Sequence, residues 1–402
     1  WDDSPTEKPQ TSEVHNGIWD ANDLRAFKDS VEKGSWNYWK DENGVVNLRD
    51  NIDMSSATLE AIGTIDDDNM NIFSGTFDGN GHKIYNVHFK ENSVMAKEDL
   101  YASALFALTM NASIQNLRVE ATVNSNGTPT NTHDGALAEG GIIGMAIGVT
   151  SLKNCSFSGS IGSNNANTPM EAGGLIGSVS TMPTITMENC YVNNTEIKGE
   201  KVGGLVGYVS YDKNVDTLTF TACHVVNTNI KTSDAGKYAG GLLGGIIGDK
   251  HFTANINSCY VTETAENLGK VSISSAKVAG GLLGFSYVDV KLTGCFNSVW
   301  LNGTTSNAAL IGGADGAPEA YGCYGIFSDS ATPILLGPDS GGDSQSLNDS
   351  NNGVFTGSSA SDALRNFYGG SALNDLNAAL IGSGYQYKAP DDKASYPVLI
   401  KQ

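Results

Sequence analysis

The chain has 402 residues and carries 24 lysines and arginines against 44 aspartates and glutamates, a formal charge of −20. That balance excludes nucleic acid, which needs a basic footprint, and disfavours adsorption to anionic lipid. Hydrophobic residues make up 40%, enough for a long narrow core, and no apolar run approaches the ~18 residues of a membrane-spanning helix.

Residues 1–17 read as a flexible acidic tether, polar and broken by Pro5 and Pro9. Residues 18–100 read as an amino-terminal cap and first coils. A helix is expected over 22–34, with Leu24, Phe27 and Val31 on one face, Asn22 or Asp23 as its cap and Gly34 as its stop. Residues 45–54 read as a bent strand. Residues 73–89 read as strand, tight turn and strand, with Asp78-Gly79-Asn80-Gly81 supplying residues that tolerate positive φ.

From 101 to 327 one motif recurs. Gly140-Gly141-Ile142-Ile143-Gly144 returns at 173, 203, 240 and 280, with a decayed opening at Ser103 and a decayed last copy at Ala308; successive copies start 28 to 40 residues apart. One cysteine follows each of the last six copies by 15 to 20 residues: Cys155, Cys190, Cys223, Cys259, Cys295 and Cys323. A repeat of that length is the mark of stacked supersecondary units. Each unit holds a glycine-flanked strand, a strand ending at the cysteine and a β-branched strand after it, which describes one coil of a parallel β-helix. The expected fold is all-β: a right-handed parallel β-helix, a solenoid with an amino-terminal helical cap. Residues 328–402 read as loop and a mixed α/β carboxy-terminal cap, with short helices near 361–368 and 372–380 and closing strands near 385–388 and 396–400. Both ends need covering, because an open strand edge templates aggregation.

The Gly-Gly-Leu-apolar-Gly motif followed by a strand with Asn-Cys resembles the GLUG repeat of bacterial surface proteins. Residues 73–84 look like the entry segment before such repeats, and Tyr396-Pro397-Val398-Leu399 like their usual terminus. The resemblance spans roughly 18–402. It implies a secreted or outer-surface bacterial protein, an adhesin-like β-helix, and brings no catalytic residues with it. The polar start is similar to the tether after the lipid-bearing cysteine of surface lipoproteins, so any membrane link would run through a lipid anchor outside this chain.

Three sets of residues are candidates for chemistry. The six cysteines fall at one phase of the repeat, which predicts a ladder of small buried thiols; in-register side chains run nearly parallel and fit the disulfide dihedral poorly. Trp36, Tyr38 and Trp39 concentrate aromatics in one loop, where they either stack on sugar rings or cover the open end of the first coil. Asp212, Asn214 and Asp216 have the alternating oxygens that open a calcium loop. That loop lacks the central glycine, and Cys223 stands where the bidentate glutamate belongs, so a solvated loop is the stronger expectation. Asp66-Asp67-Asp68-Asn69 reads as a polar loop. No other cofactor is indicated. The expected function is a non-catalytic binding or adhesion scaffold for a glycan or a surface protein. The alternatives are a carbohydrate-active lyase or hydrolase on the same helix, and a structural spacer in a surface assembly.

One consequence of the repeat concerns packing. Side chains alternate along a strand, so one of each pair Ile142/Ile143 through Leu310/Ile311 should point outward unless the glycines bend the chain. The outward members would form a stripe ~25 Å long at ~4.8 Å per coil, to be covered by 357–402 or by a partner chain.

Overall fold

A computed structural model describes residues 17–402 except 66–69, 90–93, 96–99, 125–136, 163–169, 181–183, 211–216, 249–251, 328–333, 338–351 and 392–394. The tether at 1–16, the calcium-loop candidates Asp212, Asn214 and Asp216, and the 66–69 cluster lie outside the described residues. The protein is predominantly β, organised as two long sheets of 22 and 13 strands whose partners run parallel, apart from one antiparallel pair at Val94–Met95 and Leu100–Ser103.

The sheets are built by the repeat. Each copy pairs with the same residues of the next, so Gly173 aligns with Gly203, Gly240 and Gly280, and Ile176 with Val206, Leu243 and Leu283. Strands before the cysteine, such as Thr217–Thr221, belong to the larger sheet; strands after it, such as His224–Val226, belong to the smaller. The residue before the cysteine, or before Leu117 in the opening copy, makes the corner between them in a left-handed conformation: φ is 51° at Asn116, 53° at Asn154, 52° at Asn189, 56° at Ala222 and Ser258, 59° at Gly294 and 61° at Gly322. Asparagine tolerates this region and spends its amide on the neighbouring rung. Asn189 Nδ2 donates to Asn154 Oδ1 at 2.9 Å, Asn154 Nδ2 to Asn116 Oδ1 at 2.8 Å, and Asn116 Nδ2 to Asp78 Oδ1 at 3.0 Å.

The glycine motif is a corner, not one straight strand. Strand Lys201–Gly203 ends, the chain bends at Gly204 and Leu205, and Val206–Ser210 begins. The bend turns both members of every apolar pair into the core: all twelve residues, from Ile142/Ile143 to Leu310/Ile311, are at most 1% exposed. The expected outward stripe therefore does not form. A Cβ on Gly204 would stand 2.0 Å from the Gly241 carbonyl oxygen and 2.7 Å from Val225 Cγ2, and one on Gly241 2.0 Å from the Gly281 oxygen and 2.6 Å from Val261 Cγ2. The second glycine thus makes room for the residue two after the cysteine, across the core.

The helix spans Ala21–Glu32, and Asp20, rather than Asn22 or Asp23, caps it by accepting from the N–H groups of Asn22 and Asp23. Its Leu24, Phe27 and Val31 are buried against the first coils, where Phe27 lies 6.0 Å from both Phe73 and Phe77. The carboxy-terminal helices, Ala360–Gly369 and Ala372–Ala378, and the antiparallel pair Tyr385–Lys388 with Val398–Lys401 pack over a different feature: the residue following each cysteine. Tyr191, His224, Tyr260 and Phe296 stack there with centroids 4.8–5.1 Å apart and planes within 4°. Phe367, Leu376 and Tyr387 cluster with Tyr260, Phe296 and Tyr324. This cover explains the glycines at 294 and 322: a Cβ there would lie 2.3 Å from Leu380 Cδ2 and 2.6 Å from Ala379 Cβ.

Candidate functional site: an aromatic corner on the outer face

The bend that turns two residues inward folds the outer faces of its two strands toward each other. Residues two before the first glycine (Glu171, Lys201, Tyr238) then meet residues following the last glycine (Ser178, Tyr208, Gly245, Phe285) across a concave corner. Lys201 Nζ lies 3.0 Å from Glu171 Oε1 and 3.7 Å from the centre of the Tyr208 ring. Both charged side chains are mostly buried, so the ion pair holds through its geometry and through the face of the tyrosine. Tyr238 stacks on Phe285 at 5.0 Å, and Phe285 meets Tyr287 at 4.8 Å. Gly245 leaves the space between these rings open; a Cβ there would touch Tyr208 and Tyr238 at 3.1 and 3.3 Å.

Tyr208 is 9% exposed, whereas Tyr238, Phe285 and Tyr287 are half-buried and keep ring surface in solvent. Burial, and then the Glu171 carboxylate, push the Tyr208 hydroxyl well above its ordinary range. The Tyr238 hydroxyl is pushed up to about 12 by burial and by its hydrogen bond with Tyr287. Tyr208 and Tyr238 are therefore neutral hydroxyls at physiological pH, able to donate and accept. The corner thus offers flat apolar faces edged by hydroxyls, with one paired cation and one paired carboxylate. Glu171 is committed to Lys201, and the Asp315 carboxylate also acts on the Tyr238 hydroxyl.

The residues singled out in the sequence lie elsewhere. Trp36 and Trp39 are 8% and 1% exposed, packed 6.5 and 5.8 Å from Phe27, and the helix and first coils leave neither ring a face for a sugar. This corrects the sugar-stacking expectation for both tryptophans; Tyr38, 43% exposed, is the ring of that loop facing solvent. The six cysteines are buried free thiols in one column. Each donates to the carbonyl two residues before it, as Cys190 Sγ does to the Glu188 oxygen at 3.4 Å. Burial pushes the thiols of Cys190, Cys259 and Cys323 well up, which leaves them protonated and unreactive. Among the described residues, no group of three or more histidine, cysteine, aspartate or glutamate side chains is placed to hold a metal ion, and no helix is long and apolar enough to cross a membrane.

The aromatic corner was missed in the sequence because the motif read as a flat strand. The available signal was positional: Tyr208 and Phe285 directly follow the last glycine of their copies, and Tyr238 precedes the first by two.

No family profile and no curated protein matches the chain. Among solved structures, it is similar to a Bacteroides ovatus protein provisionally named an immunoglobulin A1 protease. Identity is 16%, the TM-score is 0.48, and the match covers 95% of this chain and 91% of that one.

Proposed function

We propose that the chain is a right-handed parallel β-helix of GLUG-type repeats, closed at its start by the helix Ala21–Glu32 and covered toward its end by 357–402, and that it is a non-catalytic binding or adhesion scaffold at a bacterial outer surface. Its ligand is a glycan laid along the aromatic corner. The observation that carries this reading is the run of half-exposed rings, Tyr238, Phe285 and Tyr287, edged by hydroxyls. Sugar rings present apolar C–H faces and hydroxyl edges, and such a surface complements both.

The corner favours binding over turnover. Glycoside hydrolysis uses two carboxyl groups set ~5–9.5 Å apart, and Glu171 here is neutralised by Lys201 at 3.0 Å. A glycan array with the wild type and with Tyr238→Ala combined with Phe285→Ala tests the reading. Wild-type signal on a defined set of oligosaccharides, lost in the double variant, is expected. An array with no signal would overturn it in favour of a spacer, and product release in a screen of acidic polysaccharides, with and without calcium, would overturn it in favour of an enzyme.

A further inference from the structure

A second candidate lies where the carboxy-terminal strands meet the asparagine ladder. A cleft of about 160 Å³ opens there, walled on one side by Lys153, Asn189 and His224 and on the other by Tyr385, Leu399 and Lys401. Its size admits one sugar ring or a group of similar bulk, well short of the 300 Å³ or more of a drug-sized pocket.

Its charge runs against that of the molecule. In a chain of net −20, the cleft brings together two lysines and one carboxylate. Lys153 Nζ is held 2.9 Å from Glu188 Oε2, whereas Lys401 has no ion-pair partner among the described residues. The surplus is one positive charge, which matches a monoanion. A carboxylate fits that count, and a dianionic phosphate monoester would leave a negative charge uncompensated beside Glu188.

The ladder supplies the second feature. Each asparagine amide donates to the rung before it, and the series stops at Asn189 because the next rung is Ala222. No donor among the described residues reaches Asn189 Oδ1, so an acceptor faces solvent at the cleft wall, suited to a ligand hydroxyl. The floor continues the aromatic column through His224 and Tyr260. Burial holds His224 down at about 4, so it lines the site as a neutral ring.

We propose that this cleft binds one acidic pyranose, its carboxylate between Lys401 and Lys153, a hydroxyl on Asn189 and its ring against Tyr385. The proposal extends glycan recognition to a second place and stands on different residues from the aromatic corner, so either can fail alone. Affinity is expected in the millimolar range, since a single ring makes few contacts and the net charge of the chain repels anions.

The test is saturation-transfer NMR on the full chain carrying Tyr238→Ala and Phe285→Ala, which removes the aromatic corner, with methyl glucuronoside, with N-acetylneuraminic acid and with neutral methyl glucoside. Transfer to either acidic sugar and not to the neutral one is expected, and which of the two responds names the source of the carboxylate. Lys401→Glu should weaken that binding at least tenfold, and 0.5 M salt should weaken it too. Equal transfer to neutral and acidic sugars, no transfer to any, or full binding by Lys401→Glu would each overturn the proposal. Should Lys401→Glu perturb the closing strands, Lys401→Met, which keeps the stem, gives the same loss of charge.

Discussion

Replacing Gly204 by alanine adds one carbon at the tightest place in the coil. That Cβ would lie 2.0 Å from the Gly241 carbonyl oxygen and 2.7 Å from Val225 Cγ2, and that oxygen sits in the bend of the next repeat between the Gly240 and Leu242 carbonyls, which accept from the Gly204 and Leu205 N–H groups. A side chain can rotate away, but the carbonyl cannot move without loosening the hydrogen bonds on either side of it. Overpacking of this kind costs about 1–3 kcal/mol, and two contacts below 3 Å, one with backbone, place it near about 3 kcal/mol. Gly245→Ala is the matched control. It lies in the next coil, but its Cβ points outward and first meets the Tyr208 ring at 3.1 Å; a ring that yields by a few tenths of an ångström makes the cost less than about 1 kcal/mol. Urea unfolding followed by far-ultraviolet circular dichroism compares the two midpoints directly. Gly204→Ala should fall well below wild type and Gly245→Ala close to it. Equal midpoints for the two variants would refute the inward-bend account of the motif.

The thiol column predicts that protein denatured without reductant titrates close to six free thiols, and that native protein reacts slowly; a count of zero would mean three disulfides between coils. His224 has its folded-state pKa lowered to about 4, below its ordinary 6.5, so the stability it contributes is complete above pH 6.5 and is lost as pH falls toward 4. The full shift corresponds to at most about 3 kcal/mol, less whatever solvent reaches the ring. His224→Phe should therefore flatten the stability-versus-pH curve between pH 6.5 and 4 relative to wild type, and an unchanged slope would count against a buried neutral imidazole. Ala222 adopts φ 56°, so Ala222→Gly should raise stability by about 1 kcal/mol, read as a higher urea midpoint; a lower one would show that the left-handed corner carries no strain. Deleting residues 17–40 should uncover Phe73 and Phe77 and produce aggregation, and a truncated chain that stays monomeric in light scattering at high concentration would show that the helix protects nothing.

Much of the architecture is written in the sequence because the repeat imposes it. Copies in phase imply parallel pairing in register, and the cysteines mark one phase of the coil. The closing segments, too, are readable from ordinary helix and strand patterns, as at Ser361–Tyr368 against the observed Ala360–Gly369. What the sequence hides is direction at the corners. Two adjacent leucines such as Leu242 and Leu243 look like one inward and one outward residue, and only the backbone at Gly241 tells that both turn in. The same concealment covers the aromatic corner, since its rings come from strands on either side of the bend. For Trp36 and Trp39 the sequence left two roles open, stacking on sugar or covering the end of the first coil, and the Phe27 and Phe73 rings packed on them decide against stacking. The change along the corner ladder from asparagine to glycine was visible as letters, but its cause, Leu380 and Ala379 lying on Gly294 and Gly322, is a contact across more than fifty residues.

The central claim is that the aromatic corner binds a glycan and leaves it intact. Isothermal titration of the oligosaccharide selected by the array, into wild type and into Tyr238→Ala with Phe285→Ala, followed by mass analysis of the recovered sugar, tests it most directly. The account predicts saturable binding by wild type, loss of most of it in the double variant and an oligosaccharide of unchanged mass. Binding that survives removal of both rings, or a sugar recovered in fragments, would contradict it.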